Sequence, residues 1–344
     1  MDLSTDDTAA GDKWIIEIVD KGFVGEYTSH VLDSKDKAHI FYFDYIKGDL
    51  KHAERGPDGW IIDRVDEEGT VGQYLSIAKE EGGKLYISYR DQSKNRLKMA
   101  VFDGNRWNFE IVDDEPFASI DTSIFVDSQG KVYISYYNFN KGYLKLAARD
   151  ENQWKIEIVD DGHKQSNQVG GFSSLKVDSR GRIHISYIDS VNGFLKYALK
   201  ENNTWNIEVA DDSEFVSNFT SLALDKEGNP YISYTADKFP NKPDLWLAKR
   251  VEGKWIIELI DTEEIAGHYN SMIIDHHSNI YISYSAMGRL KMAKYIQGLW
   301  NFEVIDSNAT VTYTSLSIDT DGMPHIAYYD KDRGVKYAYK RESI

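Results

Sequence analysis

The feature that most constrains this chain is a short motif that occurs seven times. In each copy a tryptophan opens a run of apolar and acidic residues that closes on an aspartate, as in WIIEIVD, WNFEIVD and WNFEVID. The copies begin at Trp14, Trp60, Trp107, Trp154, Trp205, Trp255 and Trp300. Successive tryptophans lie 45 to 51 residues apart, which indicates one structural unit repeated along the chain. The 344 residues therefore need not divide into separate domains.

Three further apolar runs lie between successive tryptophan motifs. In one unit they read FSSLKVD, RIHISYID and FLKYA. All of these runs are short and rich in β-branched and aromatic residues, and they alternate between apolar and polar side chains, which is typical of half-buried strands. The connections DSQGK, DSRGR and DTDGM place Asp first and Gly fourth, as tight turns between antiparallel strands require. Each unit is therefore predicted to hold four antiparallel strands.

Seven four-stranded units without a helical segment predict an all-β fold, the seven-bladed β-propeller. The chain begins with the tryptophan motif and ends with the third and fourth run types, PHIAYYD and GVKYAYK. If the motif forms strand D, the outermost of strands A to D, the last blade lacks that strand. Residues 14–20 are then expected to complete the last blade and close the ring. We predict a disordered leader at 1–13 and a single propeller domain at 14–344.

The pattern SL.VD..G..HISY.D.....LKYA......W.IE.VD resembles the short repeats of bacterial seven-bladed propellers, which are broadly akin to sialidase-like and lectin-like propellers. The likeness extends over residues 14–340. It implies the propeller fold but leaves several functions open, because such propellers include lectins, polysaccharide lyases, hydrolases and docking scaffolds. The sialidase signature S-x-D-x-G-x-x-W is absent, so no sialidase catalytic residue is carried over.

Composition removes several classes of function. The chain has no cysteine, which excludes disulfides, thiolate metal sites and cysteine nucleophiles. Its 56 acidic and 40 basic residues give a net charge of −16, so repulsion disfavours nucleic acid as a partner. The sequence has neither a run of 18 apolar residues nor the zones of a signal peptide, and no membrane insertion and no cofactor are expected. We expect a monomer that is secreted or periplasmic, with a cytoplasmic location as the alternative.

Residues that recur in nearly every unit are interpreted as structural, since one ligand cannot need seven equivalent copies. A lysine in the fourth run precedes an acidic residue of strand D by twelve positions, as Lys98 precedes Glu110. This spacing predicts a cross-strand pair on one face of each C–D hairpin. In the fifth unit Trp246 replaces the lysine, so the pair should be missing there. The motif tryptophans are predicted to cover the outer hairpins, and the last Asp of each motif to cap the following turn.

Histidines are spread thinly through the repeats. His39, His184 and His325 occupy a strand-B position that holds tyrosine in the other units. Interchange of Tyr and His at one position indicates packing with a polar tip. His276 and His277 lie in a turn with no third ligand nearby in the sequence. No metal site is predicted.

Strand A lines the channel of a propeller, so the D–A and B–C connections share one face, where ligand binding is expected. Each strand A has one residue at this face that is aromatic in six of the seven units. These residues are Tyr27, Tyr74, Asp121, Phe172, Phe219, Tyr269 and Tyr313. Aromatic rings beside carboxylates suit sugars, which offer apolar C–H faces together with hydroxyls, and they also suit cations.

Four further residues, of which Asp189 occupies a position that recurs between units, complete the predicted binding site. Arg90 interrupts a run of neutral residues, and Asp189 opens a B–C connection. His163 belongs to the long polar segment 161–171, and Lys238 to the proline-containing segment 235–244. Loops on a rigid scaffold carry function more often than the scaffold does. The alternative is that the aromatic residues close the channel and the aspartates cap turns.

These features favour a ligand-binding propeller that recognises a glycan or another small polar ligand at the channel mouth. The alternatives are a glycan-active enzyme, either a polysaccharide lyase or a glycoside hydrolase, and a scaffold that docks another protein without catalysis. A hydrolase would use two carboxylates, for which Asp121 and Asp189 are candidates by ring position. A lyase would pair a base such as His163 or Tyr137 with Arg90. No catalytic motif in the sequence marks either activity.

Overall fold

The computed structural model describes residues 13–150, 153–162, 168–213, 215–238, 242–263 and 265–340. Within these ranges the chain forms 28 strands and no α-helix. The strands make seven separate four-stranded sheets, and all their pairings are antiparallel. The predicted all-β, seven-bladed propeller is thus confirmed. The predicted leader lies outside the described residues except for Lys13, and no helix in the described part could cross a membrane.

The strands follow one another in chain order, and each of the first six blades is built from four consecutive strands. Blade 1 contains β2 (Val24–Leu32), β3 (Ala38–Asp44), β4 (Asp49–Gly56) and β5 (Gly59–Asp66). Blade 2 contains β6 (Val71–Lys79), β7 (Leu85–Asp91), β8 (Arg96–Phe102) and β9 (Trp107–Asp113). Blade 3 contains β10 (Ala118–Val126), β11 (Val132–Asn138), β12 (Tyr143–Asp150) and β13 (Gln153–Asp160). Blade 4 contains β14 (Val169–Val177), β15 (Ile183–Asp189), β16 (Phe194–Glu201) and β17 (Thr204–Asp211).

The remaining blades continue the same order. Blade 5 contains β18 (Phe215–Leu224), β19 (Pro230–Lys238), β20 (Lys242–Val251) and β21 (Lys254–Asp261). Blade 6 contains β22 (His268–Ile274), β23 (Ile280–Ala286), β24 (Arg289–Ile296) and β25 (Leu299–Asp306). Blade 7 contains β26 (Val311–Ile318), β27 (Pro324–Asp330), β28 (Gly334–Lys340) and β1 (Trp14–Lys21).

Blade 7 closes the ring with strands from both ends of the chain. Strand β1 pairs antiparallel with β28, from Trp14 opposite Lys340 to Lys21 opposite Gly334. The sheet order is β1-β28-β27-β26, so β1 takes the outermost position that the other blades fill with their own fourth strand. This pairing covers the open edge of β28, as the order of run types predicted.

The hydrophobic core lies in layers between neighbouring blades. Strand B of each blade is buried along most of its length, as in β11, where all seven residues are buried. Phe41 of blade 1 packs in one cluster with Val71 and Tyr89 of blade 2. Each blade therefore buries its faces against the two adjacent blades, and the ring is stabilised by these contacts.

The predicted lysine–glutamate pairs across the C–D hairpin are wrong. Lys98 lies opposite Ile111, and Glu110 lies opposite Met99, so the two charges point to opposite faces of the sheet. Lys98 instead reaches the preceding blade, where its Nζ is 2.5 Å from Oδ2 of Asp66. The hydroxyl of Tyr89 donates to the same oxygen at 2.6 Å.

This buried cluster of lysine, aspartate and tyrosine recurs around the ring. The aspartate is the last residue of each tryptophan motif. In six of the seven motifs it also accepts from a turn N–H, as from Glu68 N to Asp66, which matches the predicted capping. In blade 5 the lysine position holds Trp246, and Asp211 keeps its bond from Tyr234 at 2.5 Å. The complete clusters are Lys51–Asp20–Tyr42, Lys98–Asp66–Tyr89, Lys145–Asp113–Tyr136, Lys196–Asp160–Tyr187, Lys291–Asp261–Tyr284 and Lys336–Asp306–Tyr328.

The strand-D glutamates bind the motif tryptophans of the next blade. Trp300 Nε1 donates to Glu258 at 2.8 Å, and Trp14 Nε1 donates to Glu303 at 2.8 Å. The same bond joins Trp60 to Glu17, Trp154 to Glu110 and Trp255 to Glu208. The recurring tryptophans and glutamates therefore link neighbouring blades.

Candidate functional site

Strand A of every blade contains a β-bulge at the same position. In β2, Glu26 pairs with Phe43 and Ser29 pairs with Phe41, so two residues, Tyr27 and Thr28, stand opposite the single Tyr42. The first residue of each bulge has a positive φ, which is uncommon for any residue with a side chain. These φ values are 58° for Tyr27, 52° for Tyr74, 52° for Asp121, 53° for Phe172, 53° for Phe219, 53° for Tyr269 and 51° for Tyr313. They are the seven residues that the sequence placed at the channel mouth.

Hydrogen bonds between blades hold these bulges in place. For five of the seven bulge residues, the carbonyl oxygen accepts from the side chain that follows the bulge residue of the next blade. Thr314 Oγ1 donates to the Tyr269 carbonyl at 2.7 Å, and Thr122 Oγ1 donates to the Tyr74 carbonyl at 2.7 Å. A left-handed backbone costs of order 1–3 kcal/mol per residue, so its recurrence shows that the blade geometry imposes it. The side chains at the mouth are consequently preorganised.

The seven bulge residues line a pocket of about 370 Å³ on the channel axis. Six of them form a continuous arc of ring contacts, with neighbouring centroids 4.2 to 4.9 Å apart. The arc runs Tyr74, Tyr27, Tyr313, Tyr269, Phe219, Phe172, and Asp121 lies between its two ends. Beneath the rings the wall is polar and consists largely of serine and threonine side chains. The pocket is thus an aromatic cup with a single acidic position.

Asp121 is the one charged residue among those that line the pocket. Its Oδ2 accepts a hydrogen bond from the backbone N–H of Phe172 at 2.9 Å. Burial raises the pKa of Asp121 to about 6, although the Phe172 bond opposes the shift. Burial also raises the pKa of Tyr27 and Tyr269, so these phenols remain hydrogen-bond donors at neutral pH. The pocket therefore offers apolar ring faces, hydroxyl donors and one carboxylate acceptor.

Of the other four predicted site residues, the two whose side chains are described, Asp189 and Arg90, are not among those that line this pocket. Asp189 accepts from the backbone N–H groups of Val191 and Asn192, which favours the turn-capping alternative for this residue. Arg90 lies in β7, and its Nη2 donates to Asn95 Oδ1 at 3.0 Å. His163 lies outside the described residues, and Lys238 is described only as the end of β19. The predicted part of the segments 161–171 and 235–244 in ligand binding therefore stays a prediction.

Exposed apolar side chains surround the pocket face, and sequence reasoning missed them. The D–A and B–C connections share this face, since Val71 N in the former donates to Gly48 O in the latter. Large apolar residues in these connections are exposed, with Phe23 at 67% and Phe139 at 63%. Others are Tyr45, Ile46, Phe117, Val191, Phe215, Ile265 and Met287. The signal that could have found them is the apolar residue inside turn sequences such as DYIKG and NFNKG.

Metal-binding capacity lies elsewhere in the molecule. Within the described ranges, His39, His52 and Glu54 are the group whose donor atoms approach one another closely enough to share an ion. They belong to β3 and β4 of blade 1 and do not line the pocket.

Comparisons with known proteins identify the architecture. No protein-family model matches the sequence, and no curated protein matches it. An ulvan lyase from a new polysaccharide lyase family superposes with a TM-score of 0.65 at 13% identity, covering 92% of this chain and 95% of that one. The SapL1 lectin, solved with α-methyl fucoside, has a TM-score of 0.55 at 12% identity and covers 85% of this chain and 99% of its own.

An α-L-arabinanase from Penicillium chrysogenum, complexed with arabinobiose, has a TM-score of 0.54 at 10% identity and covers 77% of this chain and 92% of its own. At such low identity these likenesses establish the fold alone. The class defined by fold and site is a seven-bladed propeller with an aromatic axial pocket, and its structural neighbours include propellers that bind or act on glycans.

Proposed function

We propose that this propeller binds a neutral glycan through the pocket on its channel axis. The observation that carries the proposal is the arc of six aromatic rings that ends on both sides at Asp121. Ring faces can stack on the C–H surfaces of a sugar, and the phenol groups and the carboxylate can bind its hydroxyls. Glycan-binding and glycan-active neighbours of the same architecture support this choice.

The charges at the pocket favour a neutral glycan over an acidic one. None of the residues that line the pocket is a lysine or an arginine. A uronate or sulfate would meet the carboxylate of Asp121 and the overall charge of −16 without a compensating cation. Neutral hexoses, pentoses and their oligomers avoid this repulsion.

The enzyme alternatives receive less support from the pocket. A glycoside hydrolase uses two carboxyl groups about 5 to 10 Å apart, and Asp121 is the only carboxyl group among the lining residues. A lyase needs a cation to neutralise the uronate, which the lining residues do not supply. Binding without catalysis is therefore the function we propose, and the predicted secreted or periplasmic location stays a prediction.

A quaternary ammonium ligand is the second candidate. Aromatic cages bind such cations through the negative faces of the rings, and Asp121 would add the opposite charge. Titration with choline, followed by calorimetry, tests this candidate directly. Choline binding that is lost in Asp121→Asn, together with no response to any glycan, would replace the glycan proposal.

A glycan array followed by titration of the best hit tests the main proposal. The key variant is Tyr269→Gly, because Tyr269 contacts Phe219 and Tyr313 and because glycine accepts a φ of 53° without strain. Loss of one stacking ring removes roughly 1–3 kcal/mol of apolar contact, which weakens binding by roughly 5- to 150-fold.

The matched controls for that titration lie on the opposite face. Gln129 and Arg180 are exposed in A–B turns, so Gln129→Ala and Arg180→Ala should leave the affinity unchanged. Weakening by these turn variants together with normal binding by Tyr269→Gly would place the site on the other face and reject the proposal. If no glycan and no choline bind, the docking scaffold becomes the leading function.

A further inference from the structure

Blade 1 departs from the repeat at three neighbouring positions, all on one side of its sheet. His52 of β4 takes a place that holds Met99, Leu146, Leu247 or Met292 in four blades and tyrosine in the other two. Glu54 follows two residues later, and Asp63 of β5 replaces the glutamate found in the other six blades. A feature confined to one blade is not needed for the blade fold, which every other unit achieves without it.

These departures bring two imidazoles and two carboxylates together. His52 Nδ1 lies 3.0 Å from Asp63 Oδ1, and in the tautomer in which Nδ1 donates to this carboxylate, Nε2 presents its lone pair. That nitrogen faces His39 Nδ1 at 3.1 Å, and Glu54 Oε2 lies 3.9 Å from the same His39 nitrogen. On the far side of the His39 ring, Asp33 Oδ2 is 3.8 Å from Nε2. The imidazole side chains are 12% and 8% exposed, and Glu54 is 28% exposed.

The corresponding histidines of blades 4 and 7 show what this position does without the departures. His184 Nδ1 is 2.6 Å from the hydroxyl of Tyr197, and His325 Nδ1 is 2.5 Å from the hydroxyl of Tyr337. In these blades the Nδ1 atom of one imidazole faces one phenol, and the Nε2 atom faces an aspartate of the A–B turn, at 3.5 Å from Asp178 in blade 4 and 2.9 Å from Asp319 in blade 7. In blade 1 the phenol is exchanged for a second imidazole, so two nitrogen ligands face each other.

We propose that His39, His52 and Glu54 form a binding site for a divalent transition metal ion of the zinc class. Two imidazoles and one carboxylate are a common ligand set for zinc, with the fourth position left to water. Metal–nitrogen bonds of about 2.0–2.1 Å in a tetrahedron place two ligand nitrogens roughly 3.3 Å apart, close to the present 3.1 Å. The ion takes the place of the proton that the two rings share, and the rings, now 5° from parallel, tilt so that both nitrogens point at it.

The surroundings match what a metal site requires beyond its ligands. Asp63 holds the outer nitrogen of His52, and such carboxylate partners fix the tautomer and orientation of metal-binding histidines. The partial exposure of Glu54 provides an entry path and room for water. Lys37 Nζ now lies 2.8 Å from Glu54 Oε2, so this lysine competes with the ion for the carboxylate. His39 directly follows the A–B turn, so the metal site lies away from the aromatic pocket and is independent of the glycan proposal.

Metal titration of the full chain tests the proposal. After dialysis against EDTA, we expect one Zn²⁺ per chain by calorimetry, and one Co²⁺ with the strong visible absorption of a tetrahedral complex. His39→Tyr and His52→Leu should each weaken binding by more than about 100-fold, since each removes a ligand. Asp63→Asn should weaken it by about 10- to 100-fold, and Lys37→Ala should strengthen it.

The controls separate this site from other histidines and from loss of the fold. His39→Tyr and His52→Leu introduce residues that other blades carry at the same positions, so both variants should keep the wild-type circular dichroism spectrum and unfolding midpoint. His184→Tyr and the double variant His276→Ala/His277→Ala should bind Zn²⁺ as the wild type does. The proposal is overturned if the chain binds no Zn²⁺, or if folded His39→Tyr and His52→Leu bind it with unchanged affinity.

Discussion

Replacing Asp121 with asparagine should stabilise the fold near neutral pH and weaken ligand binding. Asparagine tolerates the left-handed backbone that Asp121 adopts at a φ of 52°. Its side-chain oxygen can accept the bond that Phe172 N–H now donates to Oδ2 at 2.9 Å. The substitution therefore removes the charge and little else, so its effect reports the cost of a carboxylate at this place.

The size and sign of the effect follow from the pKa. Burial raises the pKa of Asp121 from 3.8 to about 6, and each pH unit of difference is worth about 1.4 kcal/mol. Between about pH 4 and 6 the unfolded chain loses this proton first, so the free energy of unfolding falls as the pH rises. Above about pH 6 Asp121 is ionised in both the folded and the unfolded state, so its cost in unfolding free energy no longer changes with pH. The shift sets this cost at roughly 3 kcal/mol or less, since the pocket opens to water and water screens the charge. The variant escapes this cost at pH 7, whereas at pH 3.5 it should match the wild type.

Urea unfolding at pH 3.5 and pH 7, followed by tryptophan fluorescence and circular dichroism, measures the difference. Asp178→Asn is the control of opposite sign. Burial alone would raise the pKa of Asp178, but hydrogen bonds from the backbone and side chain of Arg182 outweigh burial and lower it. That variant should lose stability at pH 7. The reasoning would be refuted if Asp121→Asn were no more stable than the wild type at pH 7. It would also be refuted if the substitution raised the free energy of unfolding as much at pH 3.5 as at pH 7.

Three further predictions concern the ring and the pocket. Lys98→Met should lower the free energy of unfolding in urea by about 3–5 kcal/mol, because it leaves the buried Asp66 carboxylate without its cation. Adding Asp66→Asn should restore part of the loss, and a loss below about 1 kcal/mol for Lys98→Met would contradict the assignment of this buried ion pair. Deleting residues 1–20 should lower the unfolding midpoint far more than deleting 1–12, since it removes most of β1 and exposes the edge of β28; equal midpoints would argue against closure by β1. Binding of a neutral glycan should strengthen as the pH rises through about 6, where Asp121 ionises, and Asp121→Asn should abolish that dependence.

The fold could be predicted because the tryptophan motif and the three other apolar runs recur in the same order along the sequence. Seven copies of the motif set the number of blades, and the order of run types at the two ends set the closure of β1 on β28. The register of the C–D hairpin could not be read in the same way. A spacing of twelve residues does not reveal how many of them form the turn, and a slip of one residue moves a side chain to the opposite face. Lys98 and Glu110 differ by such a slip.

The candidate site was predicted in part for the same reason. The seven residues of the channel mouth occupy one repeated position, so finding one of them located all seven. Their positive φ had no sequence signal, because Tyr and Phe are rare in that region and only the ring of neighbouring blades imposes it. The histidine pair was missed because His39 and His52 are thirteen positions apart and become neighbours only when β3 pairs with β4.

Asp121 is the one non-aromatic residue among the seven bulge residues, and it makes the pocket asymmetric. A mouth lined by seven equivalent aromatic residues would present the same surface to a ligand in seven orientations, and it could not prefer one of them. Asp121 replaces one ring and lies between Tyr74 and Phe172, so the mouth of the pocket has an acidic side and an aromatic side. Asp121 accepts the Phe172 N–H bond between two blades, but burial raises its pKa, so we expect the ionised carboxylate to cost stability at neutral pH. Under the proposed function, Asp121 is therefore the residue that we expect to orient the ligand, and Asp121→Asn tests both the expected cost and this role.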